Sequence, residues 1–187
     1  TEGLLASGCN LTMIELDRDL IPQLMANFVS QGVDRCRLIN EDVLKVDFRT
    51  LSGPLRVVGN LPYNISTPLL FKLLGNGNHF TDIHVMFQKE VAERIIATPN
   101  SKAYGRLAIL AQWKTNPSIV MELPPEAFTP PPKVHSAVVH FNALAEPRFP
   151  APAGLLSSTV AMAFNQRRKM LRSSLKSASP DIENVLR

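Results

Sequence analysis

The chain has 187 residues, of which 45% are hydrophobic and 19% are charged, and its formal net charge is +4 at pH 7. This length suits one compact domain with a small appendage and excludes two full-sized domains. No run approaches the roughly 18 to 20 apolar residues that cross a bilayer, so the sequence excludes a membrane-spanning protein, and the composition excludes wholesale disorder.

Strands and helices are predicted to alternate through the first hundred residues. Short apolar or β-branched runs are typical of buried strands, and apolar residues three and four apart predict helices. Pro22 would lie in the first turn of one helix, and Pro68 in the first turn of another that Ser66 or Thr67 caps. The predicted strands are 11–17, 37–44, 55–61 and 83–87, and the predicted helices are 19–30, 68–74 and 90–97. This order indicates an α/β fold with a mainly parallel sheet.

The alternation of strands and helices ends after a helix predicted at 104–114. Two extended segments, 119–123 and 136–141, flank a proline-rich loop that is too short for a crossover helix, so they predict a late antiparallel hairpin. The proline-containing stretch 146–152 is interpreted as a linker, and helical spacing over 155–175 predicts a small α-helical module. The predicted domains are therefore 1–145 and 146–187.

Polar side chains cluster where the first three predicted strands end. Glu15 and Asp17 end the first, Asp42 lies near the end of the second, and Asn60 and Tyr63 flank the end of the third. Ligands of open parallel sheets bind at the carboxyl ends of the strands, which favours a binding site here. For any single acid, a plain helix cap remains an equal alternative.

The sequence Asn60-Leu61-Pro62-Tyr63 joins the third strand to a helix. Pro62 restrains the backbone, so the Leu61 carbonyl and the Asn60 amide would offer two fixed acceptors, and Tyr63 would offer a stacking face. Two acceptors suit the amino group of adenine, because they draw its flat nitrogen toward pyramidal geometry in the transition state. Taken alone, this motif fits a structural turn with a packed aromatic side chain at least as well.

Positive charge is concentrated at the end of the chain. Residues 1–147 carry 13 Lys and Arg against 14 Asp and Glu, whereas residues 148–187 carry 7 against 2. A polyanion would be attracted to this segment, although a solvated helix face is an equally good interpretation of charge alone. The cluster consists of Arg167, Arg168, Lys169, Arg172 and Lys176.

Neither the cysteines nor the histidines suggest a metal site or a disulfide framework. Cys9 and Cys36 lie 27 residues apart without a partner motif, and the four histidines lack the spacing typical of metal ligands. No secretory signal is visible, so we expect a cytoplasmic protein with free thiols and no metal.

Several blocks of sequence together resemble the ribosomal RNA adenine N6,N6-dimethyltransferases, in particular the bacterial enzymes that act on small-subunit RNA. The resemblance extends over essentially the whole chain. The matching blocks are IELD at 14–17, ED at 41–42, VVGNLPYNISTPLLFKLL at 57–74, MFQKEVAERI at 86–95, SKAYGRL at 101–107, AQ at 111–112, FTPPPKVHSAVV at 128–139 and FNQRRKMLRSSL at 164–175.

The resemblance implies a Rossmann-like methyltransferase fold that uses S-adenosylmethionine and no metal. Glu15 would bind the cofactor ribose, Asp42 the cofactor adenine, and Asn60 would lie against both cofactor and target. Asn60 and the Leu61 carbonyl, held by Pro62, would bind the target amine, and Tyr63 and Phe128 would stack on its base. The basic cluster would grip the RNA backbone.

The expected function is dimethylation of two adjacent adenosines near the 3′ end of 16S rRNA by a monomer acting on the small subunit or its precursor. The alternatives are an assembly factor in which catalysis is secondary and an enzyme acting on large-subunit rRNA. The family pattern begins with a strand and a glycine-rich cofactor loop that this sequence does not contain, and its C-terminal module extends further. We therefore expect the catalytic domain to be truncated at its N-terminus and the small α-helical RNA-binding domain to be truncated at its C-terminus.

Overall fold

The computed structural model describes residues 1–29, 34–75, 79–166, 169–179 and 181–186. They form two compact units, Thr1–Leu51 and Ser52–Arg187. The predicted domain boundary at 145/146 lies inside the second unit and remains a prediction. Among the described residues, no helix combines the length and the apolar character needed to span a membrane.

The first unit contains a small parallel sheet. Strands β1 (Leu11–Glu15) and β2 (Cys36–Asn40) pair in parallel, with Leu11 opposite Cys36 and Glu15 opposite Asn40. Around them lie helices α1 (Glu2–Ala6) and α2 (Ile21–Leu24), a π-helical turn (Met25–Val29) and a 3-10 turn (Phe48–Thr50). The helix predicted at 19–30 is thus confirmed over Ile21 to Val29, while Ser30 lies outside the described residues.

The second unit contains a mixed four-stranded sheet in the order β3-β4-β6-β5. Strand β3 (Leu55–Gly59) is parallel to β4 (Phe80–Gln88), and β6 (Ser136–Ala143) is antiparallel to both β4 and β5 (Thr115–Leu123). The late antiparallel hairpin predicted from the sequence is confirmed as β5 and β6. The helices are α3 (Tyr63–Gly75), α4 (Lys89–Ile96), α5 (Arg106–Lys114), α6 (Ala153–Asn165), α7 (Leu171–Ser174) and α8 (Ile182–Val185).

The core of this unit lies on one face of β4 and β6. Val85, Val139 and Phe141 have no exposed surface, and the Phe87 ring meets the Phe141 ring edge-on at a centroid distance of 6.1 Å. Helices α3, α4 and α5 contribute further apolar side chains that are fully buried, namely Leu70, Leu73, Ile95, Ala108 and Ala111. Burial of this kind supplies most of the free energy that stabilises a domain.

The predicted start of α3 is wrong. The helix begins at Tyr63, so Pro68 lies inside it rather than in its first turn. Proline has no N–H, and the carbonyl that it leaves without a helical donor is that of Asn64, an exposed residue near the helix start where water can replace the missing bond. The early start places Tyr63 at the tip of the helix.

The segment after β6 is fastened to α5. The Trp113 carbonyl accepts a hydrogen bond from the Arg148 N–H at 2.9 Å, and the Trp113 indole donates to the Phe149 carbonyl at 2.8 Å. Arg148 Nε also donates to the Gln112 carbonyl at 2.6 Å. Further along, the Tyr104 and Phe164 rings meet edge-on, which attaches α6 to the start of α5. The predicted linker, residues 146–152, is therefore attached to α5 by these hydrogen bonds.

Candidate active site

Three strand ends of the second unit meet at one edge of its sheet. Strands β3 and β4 are parallel and end at Gly59 and Gln88, while the antiparallel strand β6 begins at Ser136, which pairs with Gln88. The loop that joins β5 to β6 leaves from Leu123 at the same edge. We call this the carboxyl edge; it brings together the Asn60 to Tyr63 corner and the loop that contains Phe128.

The corner after β3 is open to solvent. Asn60 and Pro62 are exposed, and Leu61 is half-buried. A Cβ atom at Gly59 would lie 3.2 Å from Leu61 Cδ1, so the glycine lets the Leu61 side chain fold back closely over the end of the strand. The Asn60 side chain is therefore available to a ligand, as the predicted role requires.

A buried hydroxyl anchors Tyr63. Its phenol oxygen lies 2.7 Å from Ser136 Oγ, and Ser136 has no exposed surface. This bond connects the tip of α3 to the first residue of β6, and it restrains the Tyr63 ring at its outer end. Sequence reasoning missed Ser136 as a site residue, because nothing in the local pattern shows that it faces Tyr63 across 73 positions of sequence.

Phe128 follows a 3-10 turn (Pro125–Ala127), and its N–H donates to the Pro125 carbonyl at 3.1 Å. The ring is half-buried. Three consecutive prolines, 130–132, then stiffen the loop on its way to β6. The structure thus places Phe128 in a restrained loop at the same edge as Tyr63, and its stacking role remains a prediction.

A fixed positive charge lies beside the carboxyl edge. Lys89 Nζ donates to Glu122 Oε2 at 2.8 Å, and this hydrogen bond, with the charge of the carboxylate, raises the pKa of Lys89 above its ordinary 10.5. The Lys89 N–H donates to the His135 carbonyl at 2.9 Å, which attaches α4 to the residue before β6. Lys89 therefore remains cationic near neutral pH and is paired with Glu122, in an open groove that Lys133, Glu90 and Glu93 also line.

The two predicted cofactor acids lie together at the carboxyl ends of the parallel strands of the first unit. Glu15 ends β1, and its Oε1 accepts the Asp17 N–H at 2.8 Å. Asp42 follows β2, and its Oδ1 accepts the Leu44 N–H at 2.9 Å. Both carboxylates are half-buried and shape their own turns. Their predicted cofactor contacts remain predictions.

The basic cluster is described only in part. Arg167 and Arg168 lie outside the described residues. Lys169, Arg172 and Lys176 are exposed, with Arg172 in the last turn of α7. Side chains with this exposure can reach a phosphate backbone, so the predicted RNA contact has the accessibility that it requires.

Two histidines that look unrelated in sequence lie side by side. His84 in β4 pairs with His140 in β6, and their rings stack at a centroid distance of 4.3 Å. Asp82 lies on the same face of β4, two residues before His84. Spacing along the chain does not reveal this group, because His84 and His140 meet only through the pairing of β4 with β6.

The family model for ribosomal RNA adenine dimethylase matches residues 1–184. Among curated relatives, "Ribosomal RNA small subunit methyltransferase A" of Cereibacter sphaeroides is 56% identical over all of this chain and 68% of its own length. The protein of the same name from Ruegeria pomeroyi is 53% identical with the same coverage. The chain thus spans about two thirds of the length of these relatives.

Two solved structures are similar. A dimethyladenosine transferase from Plasmodium falciparum matches with a TM-score of 0.77 and 28% identity, covering 88% of this chain and 58% of the other. The 23S rRNA methyltransferase ErmE matches with a TM-score of 0.66 and 22% identity, over 90% of this chain and 67% of the other, which indicates the fold alone. The predicted Rossmann-like methyltransferase fold is confirmed. With a family model covering residues 1–184 and relatives above 50% identity, the chain belongs to the ribosomal RNA adenine dimethylase family.

Proposed function

We propose that this chain is part of an enzyme that transfers methyl groups from S-adenosylmethionine to the N6 atoms of two adjacent adenosines near the 3′ end of 16S rRNA. Membership of the dimethylase family and the names of the curated relatives support the reaction class and the small-subunit substrate. The structural observation that carries the proposal is the open Asn60 corner beside an anchored Tyr63.

At the corner, Asn60 Oδ1 and the Leu61 carbonyl would accept the two amino protons of the target adenine. Such acceptors are most effective in the transition state, when the nitrogen becomes pyramidal and its protons become more positive. Tyr63 would stack on the flipped base, with its ring held by the bond to Ser136, and Phe128 would close the other face. The stiff proline loop would present that ring with little loss of conformational entropy.

In the first unit, the half-buried carboxylates of Glu15 and Asp42 fit a nucleoside, because both can accept hydrogen bonds at the carboxyl ends of parallel strands. Glu15 would accept from the ribose hydroxyls and Asp42 from the adenine amino group. When bound, S-adenosylmethionine supplies a methyl group on a sulfonium, a good leaving group, so the protein chiefly aligns the reactants and excludes water.

The test of the corner is Asn60→Ala. We expect at least about a 100-fold loss of methyl transfer to small ribosomal subunits that lack the modification, with cofactor binding largely spared. The measurement is incorporation of labelled methyl followed by nucleoside mass analysis, using the complete polypeptide. Asn116→Ala is the matched control, since Asn116 is an exposed asparagine at the opposite edge of the same sheet. Near-parental activity of Asn60→Ala would refute the role of the corner.

The exposed basic residues near the C-terminus support RNA binding. Replacing Lys169, Arg172 and Lys176 with Glu should weaken binding to small subunits and reduce the slope of log affinity against log salt by about 2 to 3, since each phosphate contact releases about one counterion. Methylation of a short RNA should change less. An assembly factor in which catalysis is secondary would instead lose its cellular role with the triple variant and keep it with Asn60→Ala.

A further inference from the structure

The face of β4 and β6 opposite the apolar core contains a compact group of three metal-ligand types. Asp82 and His84 lie two residues apart on β4, and His140 lies directly across from His84 on β6. One ligand atom from each side chain falls within 4.8 Å of the others. The Asp82 side chain is 12% exposed and that of His84 is 34% exposed, so an ion in solution can reach the group.

The distances within the group match those around a metal ion. Asp82 Oδ1 and His84 Nδ1 are 3.3 Å apart. Two ligand atoms bound at about 2.0 to 2.1 Å to one tetrahedral ion are separated by about 3.3 Å. The two imidazole rings stack with an interplanar angle of 13°. The torsion that turns each ring is soft, so the rings can turn out of the stack when both nitrogens bind one ion.

Arg56 already holds the other side of the carboxylate. Its Nε donates to Asp82 Oδ2 at 2.7 Å, which fixes the plane of the carboxylate and directs Oδ1 toward His84. Metal-bound carboxylates commonly have such an outer hydrogen-bond partner. All three candidate ligands project from paired strands in the middle of the sheet, so the group is held on a rigid framework.

We propose that Asp82, His84 and His140 bind one divalent transition-metal ion of the Zn²⁺ and Co²⁺ class. Two imidazoles and one carboxylate suit these ions, whereas Mg²⁺ prefers an all-oxygen shell. The ion would join β4 to β6 on the face away from the core and serve stability rather than methyl transfer. This inference does not depend on the proposed function, and it revises the expectation from sequence that the histidines are not ligands.

The test uses untagged protein that has been stripped with a chelator and then titrated with Co²⁺, whose visible absorption reports the ligand geometry. We expect one bound Co²⁺ per chain, displacement by Zn²⁺ and no displacement by excess Mg²⁺. Because the ion binds only the folded state, Zn²⁺ should also raise Tm in a concentration-dependent way.

Two variants and a control separate ligation from packing. His140→Phe keeps an aromatic ring stacked on His84 but removes the ligand nitrogen, and His84→Ala removes the second imidazole. Each should weaken Co²⁺ binding by at least about tenfold and abolish the Zn²⁺ effect on Tm. His135→Ala removes an exposed histidine just before β6 and should leave both readouts unchanged.

Near-UV circular dichroism of the stripped variants identifies any that fail to fold, and His140→Phe is expected to fold because it conserves the ring contact. The proposal is overturned if folded His140→Phe binds Co²⁺ as tightly as the parent. It is equally overturned if Mg²⁺ competes as well as Zn²⁺ does, or if His135→Ala produces the same loss.

Discussion

Both units of the chain place functional candidates at the carboxyl ends of parallel strands, but the sheets that contain those strands are packed very differently. In the first unit, no residue of β1 or β2 is buried. In the second unit, β4 and β6 contain side chains with at most 1% exposure, among them Val85, Phe87 and Phe141. The predicted cofactor acids therefore lie on a thinly packed sheet. The predicted target corner follows β3, which has no buried residue itself but pairs with the densely packed strand β4.

Within this chain, the two predicted binding regions therefore differ in how much buried apolar surface supports their sheets. A two-stranded sheet of five-residue strands is marginal by itself, and parallel strands normally have both faces covered. The apolar residues of β1 and β2 suit burial but are only half-buried. We expect most of the free energy of unfolding to come from residues 52–187.

The largest effect should follow from Phe141→Ala. Phe141 is fully buried against Phe87, so removing its ring leaves a cavity in the core of the second unit. We expect the free energy of unfolding to fall by about 3 to 5 kcal/mol, measured by urea denaturation. The matched variant in the first unit is Leu38→Ala in β2, whose side chain is half-buried.

Leu38→Ala should lower the free energy of unfolding by about 1 kcal/mol, clearly less than Phe141→Ala does, because Leu38 buries less apolar surface. Equal losses of unfolding free energy for Phe141→Ala and Leu38→Ala would show that the first unit is as firmly packed as the second. A separate unfolding transition at low urea that only Leu38→Ala shifts would show that the first unit unfolds before the second.

Glu15→Gln should have the next largest effect, on cofactor affinity rather than stability. The amide keeps an oxygen that can accept the Asp17 N–H but loses the charge that strengthens bonds to ribose hydroxyls. We expect S-adenosylmethionine binding to weaken by about 10- to 100-fold in isothermal titration, with little change in Tm. Loss of folding instead would assign Glu15 a structural role, whereas unchanged affinity would remove it from the cofactor site.

Ser136→Ala should have the smallest of these expected effects, a modest loss of stability. It removes the partner of the Tyr63 hydroxyl, which costs about 0.5 to 1.5 kcal/mol. If the bond positions the ring for stacking, methyl transfer should fall further than stability does, and Ser136→Thr should restore part of it. Tyr63→Phe, which keeps the ring but loses the same bond, should show a similar kinetic defect. Full activity of both Ser136→Ala and Tyr63→Phe would mean that the hydrogen bond between Tyr63 and Ser136 only stabilises the sheet edge.

The order and type of most elements could be predicted because their patterns are local. Boundaries set by tertiary pairing could not be predicted. Strand β5 begins at Thr115, four residues before the predicted segment, because the polar residues at its start pair with the end of β6. Strand β4 likewise begins at Phe80 rather than 83, next to the start of β3. The division of the chain after Leu51 is not among the predicted boundaries, although the turn-forming residues Ser52, Gly53 and Pro54 follow it.

The residues of the candidate site likewise fall into a group that is local in sequence and a group that depends on strand pairing. Asn60, Leu61, Pro62 and Tyr63 are contiguous, so a motif could identify them. Ser136 and the paired histidines depend on register between distant strands, which the sequence does not display. Site residues that belong to one loop can therefore be predicted, whereas those that meet across a sheet need the structure.

The fastening of the segment after β6 to α5 has a geometric consequence. Hydrogen bonds at Gln112, Trp113 and Phe149 hold this segment against α5, so it does not act as a flexible hinge. Helix α6 packs on α5, and α7 packs on α6, so the exposed cations Lys169 and Arg172 belong to the same compact unit as the sheet. A strand of RNA held by those cations would meet the Asn60 corner at a set offset along its backbone. The protein would then select its target nucleotide partly by the distance, along the RNA, between that nucleotide and the phosphates bound by the cations.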